Sequence, residues 1–280
     1  MPSQPIKILG VQVNKKSESE VLKQVREFFS SGNQHYLVTT NPEFIMAAQE
    51  DSEFREIINQ ADISIPDGIG LLWAARFLSL PAASNKLWRV FQAAGQVIYT
   101  GASLVFYPRY CRGVLPERIS GTDLIRPLAQ LCAQAGKSLY LLGGRLRVGG
   151  KTAAILQKEF PGLKIAGTYE GEALSAGDQK AHQRINKAQP DVLLVAYGHP
   201  KQEKWVARNL AKLPSVKIAM GVGGAYDFIA GKVQRAPKII RSLGLEWLWR
   251  LIKQPQRVGR IFTATIKFIW AVYQEKVRRS

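Results

Sequence analysis

The stretch KIAMGVGGAYDFIAGKVQRAP, residues 217–237, runs from an apolar segment of strand length (217–220) into a glycine-rich turn. A strand that ends in glycines lets backbone N–H groups approach a phosphate closely. Immediately downstream, GLEWLWRLIKQPQRVGR (residues 244–260) sets tryptophans and leucines among arginines at helical spacing. Together the two segments point to an anionic, phosphate-bearing ligand beside a surface that is both apolar and cationic. That setting suits chemistry on a lipid-linked substrate.

Upstream, short apolar runs recur at 36–39, 63–65, 138–142, 164–167 and 192–196. Segments of helical period lie between them at 42–51, 122–135, 149–160, 177–188 and 200–213. This βαβα rhythm predicts an α/β fold, a doubly wound, mostly parallel, Rossmann-like sheet with helices on both faces. Ligands of such sheets bind beyond the carboxyl ends of the strands. The residues to read are therefore Thr39-Thr40-Asn41, Pro66-Asp67-Gly68, Gly143-Gly144, Tyr197-Gly198-His199 and the turn at 221–224, with Gly223 and the following Asp227.

Past Pro237 the strand signals stop. The division expected is an α/β unit over 1–237 and a basic helical appendage over 238–280. In the appendage Val258, Ile261, Phe262, Thr265, Ile266, Ile269, Trp270 and Tyr273 follow i, i+3, i+4, i+7 spacing, which predicts an amphipathic helix with that stripe as its apolar face. Such a helix can pack on its own domain, on a partner or on a bilayer; its Trp and Lys/Arg content favours the bilayer.

The formal net charge of +18 over 280 residues is unevenly spread. Residues 238–280 hold ten Lys/Arg against only Glu246 and Glu275, a net +8. A basic tail seeks an anionic partner, either an acidic membrane surface or nucleic acid. Nucleic acid is disfavoured, because no helix-turn-helix, RRM or zinc-finger pattern is present and the charge lies among Trp/Leu stripes. A hydrophobic content of 46% supplies a full core and excludes disorder. Cys111 and Cys132 make no disulfide framework. Residues 1–16 lack the apolar run of a signal peptide, so an intracellular protein is expected. The uncharged run at 90–108 has the length of a membrane span. Gln92, Gln96, Thr100 and Ser103, with Gly95 and Gly101, make it a poor one. A core helix and an interfacial or re-entrant segment remain as its two readings.

Familiar cofactor signatures fail. Tyr226 stands where a dinucleotide pattern needs glycine, and Gly150 interrupts a Walker-like run at 144–152. His35, His182 and His199 have no ligand spacing, and no Asp-x-Asp pair is present. Neither metal nor cofactor is expected. A departing diphosphate would then be neutralised by arginines, helix N-termini or glycine-loop amides. Asp67, at a strand end, is a general-base candidate, although Asp-Gly is also a common turn pair. Thr39 and Asn41 can equally cap the next helix, and Gln202 and Glu203 can be ordinary first-turn polarity.

A series of motifs now stands in order: TTNPE (39–43), PDGIG (66–70), RISGTDL (118–124), LLGG (141–144), GHPKQEKW (198–205), GVGGAYDFIAG (221–231), RAP (235–237) and GLEWLWRL (244–251), then P-x-R-x-x-R (255–260). From about Ile6 to Arg260 the chain resembles the WecG/TagA/CpsF glycosyltransferases. The resemblance implies a metal-independent, inverting transfer of a sugar, N-acetylmannosamine in well-known members, from a UDP donor to a polyprenyl-diphosphate-linked sugar. Those members build wall teichoic acid linkage units or enterobacterial surface polysaccharide. It further implies Asp67 as the base, and Thr39 and Asn41 as donor-sugar or acceptor contacts. Arg118 and Gln202 would be active-site polar groups, with Gly143, Gly144, Gly223 and Asp227 at the substrate. Arg250, Arg257 and Arg260 would close over the diphosphate while the same tail meets an anionic membrane at its inner face. One departure from the family pattern is residues 81–115, an insertion beside the acceptor path. Self-association into a homo-oligomer is left open.

Overall fold

The computed structural model describes residues 4–278 apart from 146, 238, 239, 242, 243 and 245. Of the tail's basic residues, Lys238 and Arg279 lie outside the described residues. The chain opens with an antiparallel hairpin, β1 (Ile6–Ile8) and β2 (Val11–Val13). Its two turn residues, Leu9 and Gly10, both take positive φ, the geometry that matches strand twist in a two-residue hairpin. Helix α1 (Glu18–Ser30) follows, its N-terminus closed by a capping box between Ser17 and Glu20.

Six parallel strands then build one sheet: β3 (His35–Thr40), β4 (Ile63–Pro66), β5 (Ser138–Gly143), β6 (Lys164–Tyr169), β7 (Val192–Ala196) and β8 (Ile218–Gly221). Their spatial order is β4-β3-β8-β7-β5-β6. Strand side chains alternate between two cores. Tyr36, Val38, Tyr140, Leu142, Leu193 and Val195 face one cluster, while Leu37, Leu139, Leu141, Val192 and Leu194 face the other. Burial on both faces explains why these strands read as continuous apolar runs. The α/β, doubly wound, parallel architecture is the one expected.

One layer of helices holds α2 (Pro42–Glu50), α3 (Ser52–Asn59) and α4 (Ile69–Ser79). It also holds α8 (Asp178–Ala188) and α9 (Lys201–Asn209). The opposite layer holds α1 with α6 (Gly121–Ala135), α7 (Val148–Glu159) and the short α10 (Ala225–Ile229). Between α4 and α6, the residues expected to form an insertion make α5 (Lys86–Phe106) and a 3-10 turn (Pro108–Gly113). The core-helix reading of this run is corrected: α5 buries only Ala93, Thr100 and Ser103, while Gln92 and Gln96 bond back to the backbone of Ala83 and Pro81. Leu87, Trp88, Phe91, Ile98, Tyr99 and Phe106 point outward. No helix among the described residues is long and apolar enough to cross a membrane.

The appendage forms α11 (Glu246–Lys253) and α12 (Val258–Phe262), a π-helical stretch (Thr263–Lys267), and α13 (Phe268–Arg278). Helices are present as expected, and a row of residues other than the apolar stripe docks on the domain. Phe268, Val272 and Lys276 are buried against the domain, while Val258, Phe262, Ile266, Ile269 and Trp270 stay exposed. The π stretch inserts an extra residue into the turn and rotates everything after it. Lys276 donates to the carbonyls of Phe77 and Leu80 and so caps α4. Glu275 accepts the Leu9 N–H at 3.0 Å, fastening the tail to the first hairpin.

Candidate active site

Strand β4 delivers Asp67 to the carboxyl edge of the sheet, where its N–H donates to the Thr40 carbonyl at 2.7 Å. Its Oδ2 accepts the Gly121 N–H at 3.3 Å, at the start of α6. Burial raises the Asp67 carboxyl above the usual aspartate value, although Arg118, Arg250 and the Gly121 amide pull it down. A carboxylate held in this way is a stronger base than one in water.

Two further carboxylates organise the cations around it. Glu246, at the start of α11, accepts from Arg118 at 3.3 Å and from Arg250 at 3.1 Å, and lies 3.8 Å from Arg235. Burial alone would raise Glu246, but these three arginines outweigh it and hold it below its usual value. Asp123, on α6, takes a bidentate pair from Arg235 and a contact at 3.4 Å from Arg241. The tail is thereby bolted to the sheet edge next to Asp67.

Arg257 and Arg260 complete the cationic wall. Arg260 pairs with Glu43 on α2, whose carboxylate also lies 3.5 Å from His199 Nε2. Arg257 donates to the Gln254 amide oxygen at 3.0 Å and has no ion-pair partner among the described residues. Burial, with Arg260 and Arg250 nearby, pulls its guanidinium below the usual arginine value. A cation destabilised in this way gains most from an arriving anion.

The glycine loops lie across the edge from Asp67. Gly143 takes φ 92°, and a Cβ there would meet the Ala196 carbonyl oxygen at 2.7 Å, so only glycine fits between β5 and β7. Gly144 follows, and α7 begins four residues later. Gln202 is 1% exposed and acts as a clamp: its Oε1 accepts from Gly198 N–H at 3.1 Å and from Gly223 N–H at 2.9 Å. Its amide nitrogen donates to Glu203 Oε1 at 2.7 Å. Both side chains tuck under Gly221, where a Cβ would meet them at 2.6 and 2.7 Å. Glu203 is fully buried, its other oxygen has no partner, and burial pushes its carboxyl up to about 7.

Thr39 is buried, with its hydroxyl 3.4 Å from the Gly221 carbonyl and its methyl against Gly121. Asn41 Oδ1 caps α2 by accepting the Phe44 N–H at 3.1 Å. Asp227 sits on α10, 3.8 Å from Lys232. The structure therefore gathers Asp67, Arg118 and Arg250 directly, with Arg257 and Arg260 behind them, while Gln202 works from beneath the loops. Among the described residues no three His, Cys, Asp or Glu groups come together as a metal site. Sequence reasoning passed over Glu246, Arg235 and Glu43. The signal for Glu246 was its isolation, as one of two carboxylates in a strongly basic tail.

The sequence matches the glycosyl transferase WecG/TagA/CpsF family over residues 6–85 and 80–280. A Staphylococcus aureus (strain MRSA252) N-acetylglucosaminyldiphosphoundecaprenol N-acetyl-beta-D-mannosaminyltransferase is 28% identical over 273 residues, covering 97% of this chain and 93% of the relative. Proteins of the same description from strains MW2 and NCTC 8325 are 27% identical over the same shares.

Proposed function

The chain belongs to the WecG/TagA/CpsF family of glycosyl transferases, and from that premise we propose that it moves an N-acetylmannosamine-type sugar from a UDP donor to a polyprenyl-diphosphate-linked sugar. Transfer proceeds with inversion and without a metal. The observation that carries this reading is Asp67, a half-buried carboxylate of raised basicity, flanked by Arg118 from the segment before α6 and Arg250 from the tail. The relatives named above act on a diphosphoundecaprenol-linked N-acetylglucosamine, and the same acceptor class is assigned here.

In the proposed reaction the acceptor hydroxyl gives its proton to Asp67 as its oxygen attacks the anomeric carbon. The bond from that carbon to the diphosphate breaks on the opposite side, so one displacement inverts the centre, and UDP leaves with the electron pair. Arg250, Arg257 and Arg260 face the charge that develops on the diphosphate, the role a metal plays elsewhere. The glycine loops at Gly143-Gly144 and around Gly223 hold the nucleotide end, and Gln202, by taking the Gly198 and Gly223 N–H groups, keeps the Gly223 loop in register with the Gly198 loop. Thr39 and Asn41 line the sugar's position, and Asp227 borders the nucleotide. In this scheme residues 1–237 carry the base and the donor loops, while 238–280 supplies cations and the membrane contact. Apart from Leu174, every exposed large hydrophobic among the described residues falls in 87–107 or 247–270. That concentration, beside the basic tail, supports peripheral docking on the inner, anionic membrane surface.

The test is transfer from UDP-N-acetylmannosamine to a lipid-diphospho-N-acetylglucosamine in detergent, followed by mass spectrometry. Asp67→Asn should lower turnover about 10²–10⁴-fold while UDP binding survives. Near-wild-type turnover in that variant would remove Asp67 from the mechanism.

A further inference from the structure

Between α4, α5, the 3-10 turn and the beginning of the appendage lies a cavity of about 400 Å³, within the range of about 300–1,000 Å³ typical of small-molecule sites. Its two walls differ in chemistry. Ile69, Leu72 and Leu104 form an apolar side, and Arg112, Arg118 and Arg241 a cationic one. Glu117 also borders it, with its Oε1 turned to accept the Glu18 N–H. Arg118 belongs equally to the catalytic edge, since it pairs with Glu246 and acts on Asp67. Two links join the segment 118–121 to the base: Ile119 N–H donates to Pro66 O at 2.9 Å, and Gly121 N–H donates to Asp67.

The cavity is held open by fixed contacts. Trp73 Nε1 donates to the buried Thr100 hydroxyl at 2.9 Å, which fixes α5 on α4. The Arg76 guanidinium stacks 4.0 Å over the Tyr110 ring and anchors the 3-10 turn. Gly244 closes the far side at φ 74°, so near α4 that a Cβ would meet Ile69 Cδ1 at 2.3 Å. At the outer end Val105, Phe106 and Tyr107 are exposed and continue the apolar wall into the outward face of α5.

We propose that this cavity is the subsite for the isoprenyl diphosphate of the lipid-linked acceptor. The diphosphate lies on Arg112, Arg118 and Arg241, the first isoprene units lie on Ile69, Leu72 and Leu104, and the rest of the lipid passes along α5 to the bilayer. The assignment rests on the acceptor class proposed above, and it gives residues 81–115 a task. One chain of contacts then carries the acceptor from the membrane to the base.

Calorimetry of the full chain with farnesyl diphosphate and with inorganic diphosphate tests the subsite without any transfer. Farnesyl diphosphate should bind at least about tenfold more tightly, the gain expected from burying even one isoprene's apolar surface. Leu104→Trp, which fills the apolar side, should abolish that preference. Arg112→Ala, an exposed position that leaves the core untouched, should weaken both ligands. In transfer assays Leu104→Trp should raise KM for a long-chain acceptor and leave KM unchanged for a short-alkyl diphosphosugar. Equal binding of the two diphosphates by the wild-type protein, or Arg112→Ala weakening neither, overturns the proposal. If the wild type prefers farnesyl diphosphate yet transfers no sugar, the catalytic reading fails and the lipid subsite stands.

Discussion

Replacing Glu203 by glutamine should stabilise the protein, and only above a definite pH. The Glu203 carboxyl is fully buried, with one oxygen bonded to Gln202 and the other without a partner. Burial raises it from 4.5 to about 7 in the folded chain. The folded state therefore holds this proton more tightly than the unfolded one. Between these two values folding retains a proton that unfolding would release, so stability falls as pH rises and stays low above about 7. A shift of roughly 2.5 units corresponds to about 3 kcal/mol at most. Glutamine keeps the shape and the acceptor for Gln202 but carries no charge to bury. Urea unfolding of wild type and Glu203→Gln, from pH 4.5 to 8.5, should give similar stabilities at the acid end and diverge to about 3 kcal/mol at the alkaline end, with the variant more stable. Other titrating groups are common to both chains and cancel in the difference. Two curves that stay parallel across the range would refute the buried, proton-holding carboxylate.

Three further outcomes are expected. Transfer should persist in excess EDTA, and full loss rescued by magnesium or manganese would defeat the arginine-for-metal argument. Arg257→Ala should lower kcat, by about 10²-fold if it stabilises the leaving diphosphate as an oxyanion-hole donor does; co-sedimentation with anionic liposomes should barely change, because one charge among many is lost. Trp88→Ser with Phe91→Ser, both on the outer face of α5, should weaken that co-sedimentation while leaving turnover of a water-soluble acceptor intact; unchanged binding would take α5 out of the membrane contact.

The strands were legible because a parallel sheet buried on both faces writes itself as apolar runs ending in glycine. The edge residues followed from topology alone, so Asp67 and the glycine loops were found before any contact was known. Other parts left weaker traces. Leucine is a poor turn former, so the Leu9-Gly10 hairpin gave no punctuation. Helix α4 buries Leu71, Leu72, Trp73, Ala74, Ala75 and Phe77 and so shows little amphipathic period. Helix α1 announced itself through Ser17 and Glu20, a capping box that went unread. The tail's apolar stripe was legible and most of it stays exposed, whereas the second, docking row of Phe268, Val272 and Lys276 was not, since a π stretch cannot be seen in residue spacing. Ion-pair hubs such as Glu246 depend on Arg118 and Arg235 converging from distant segments, and spacing along the chain encodes only the i,i+4 pair with Arg250.

The strand order β4-β3-β8 acts as a ruler. Asp67 leaves β4 at the level where Thr40 pairs with Pro66, and the Gly223 loop leaves β8 two strands away. Neighbouring strands sit about 4.8 Å apart, so the base and the loop amides are separated by roughly 10 Å. In the proposed reaction that interval must hold the acceptor oxygen, the anomeric carbon and the bridging oxygen of the diphosphate in one line. That span matches one sugar ring with an oxygen on either side. Extending the product by two sugars would therefore take two separate visits to the site, with the hydrogen bonds of β3 keeping the length of each step.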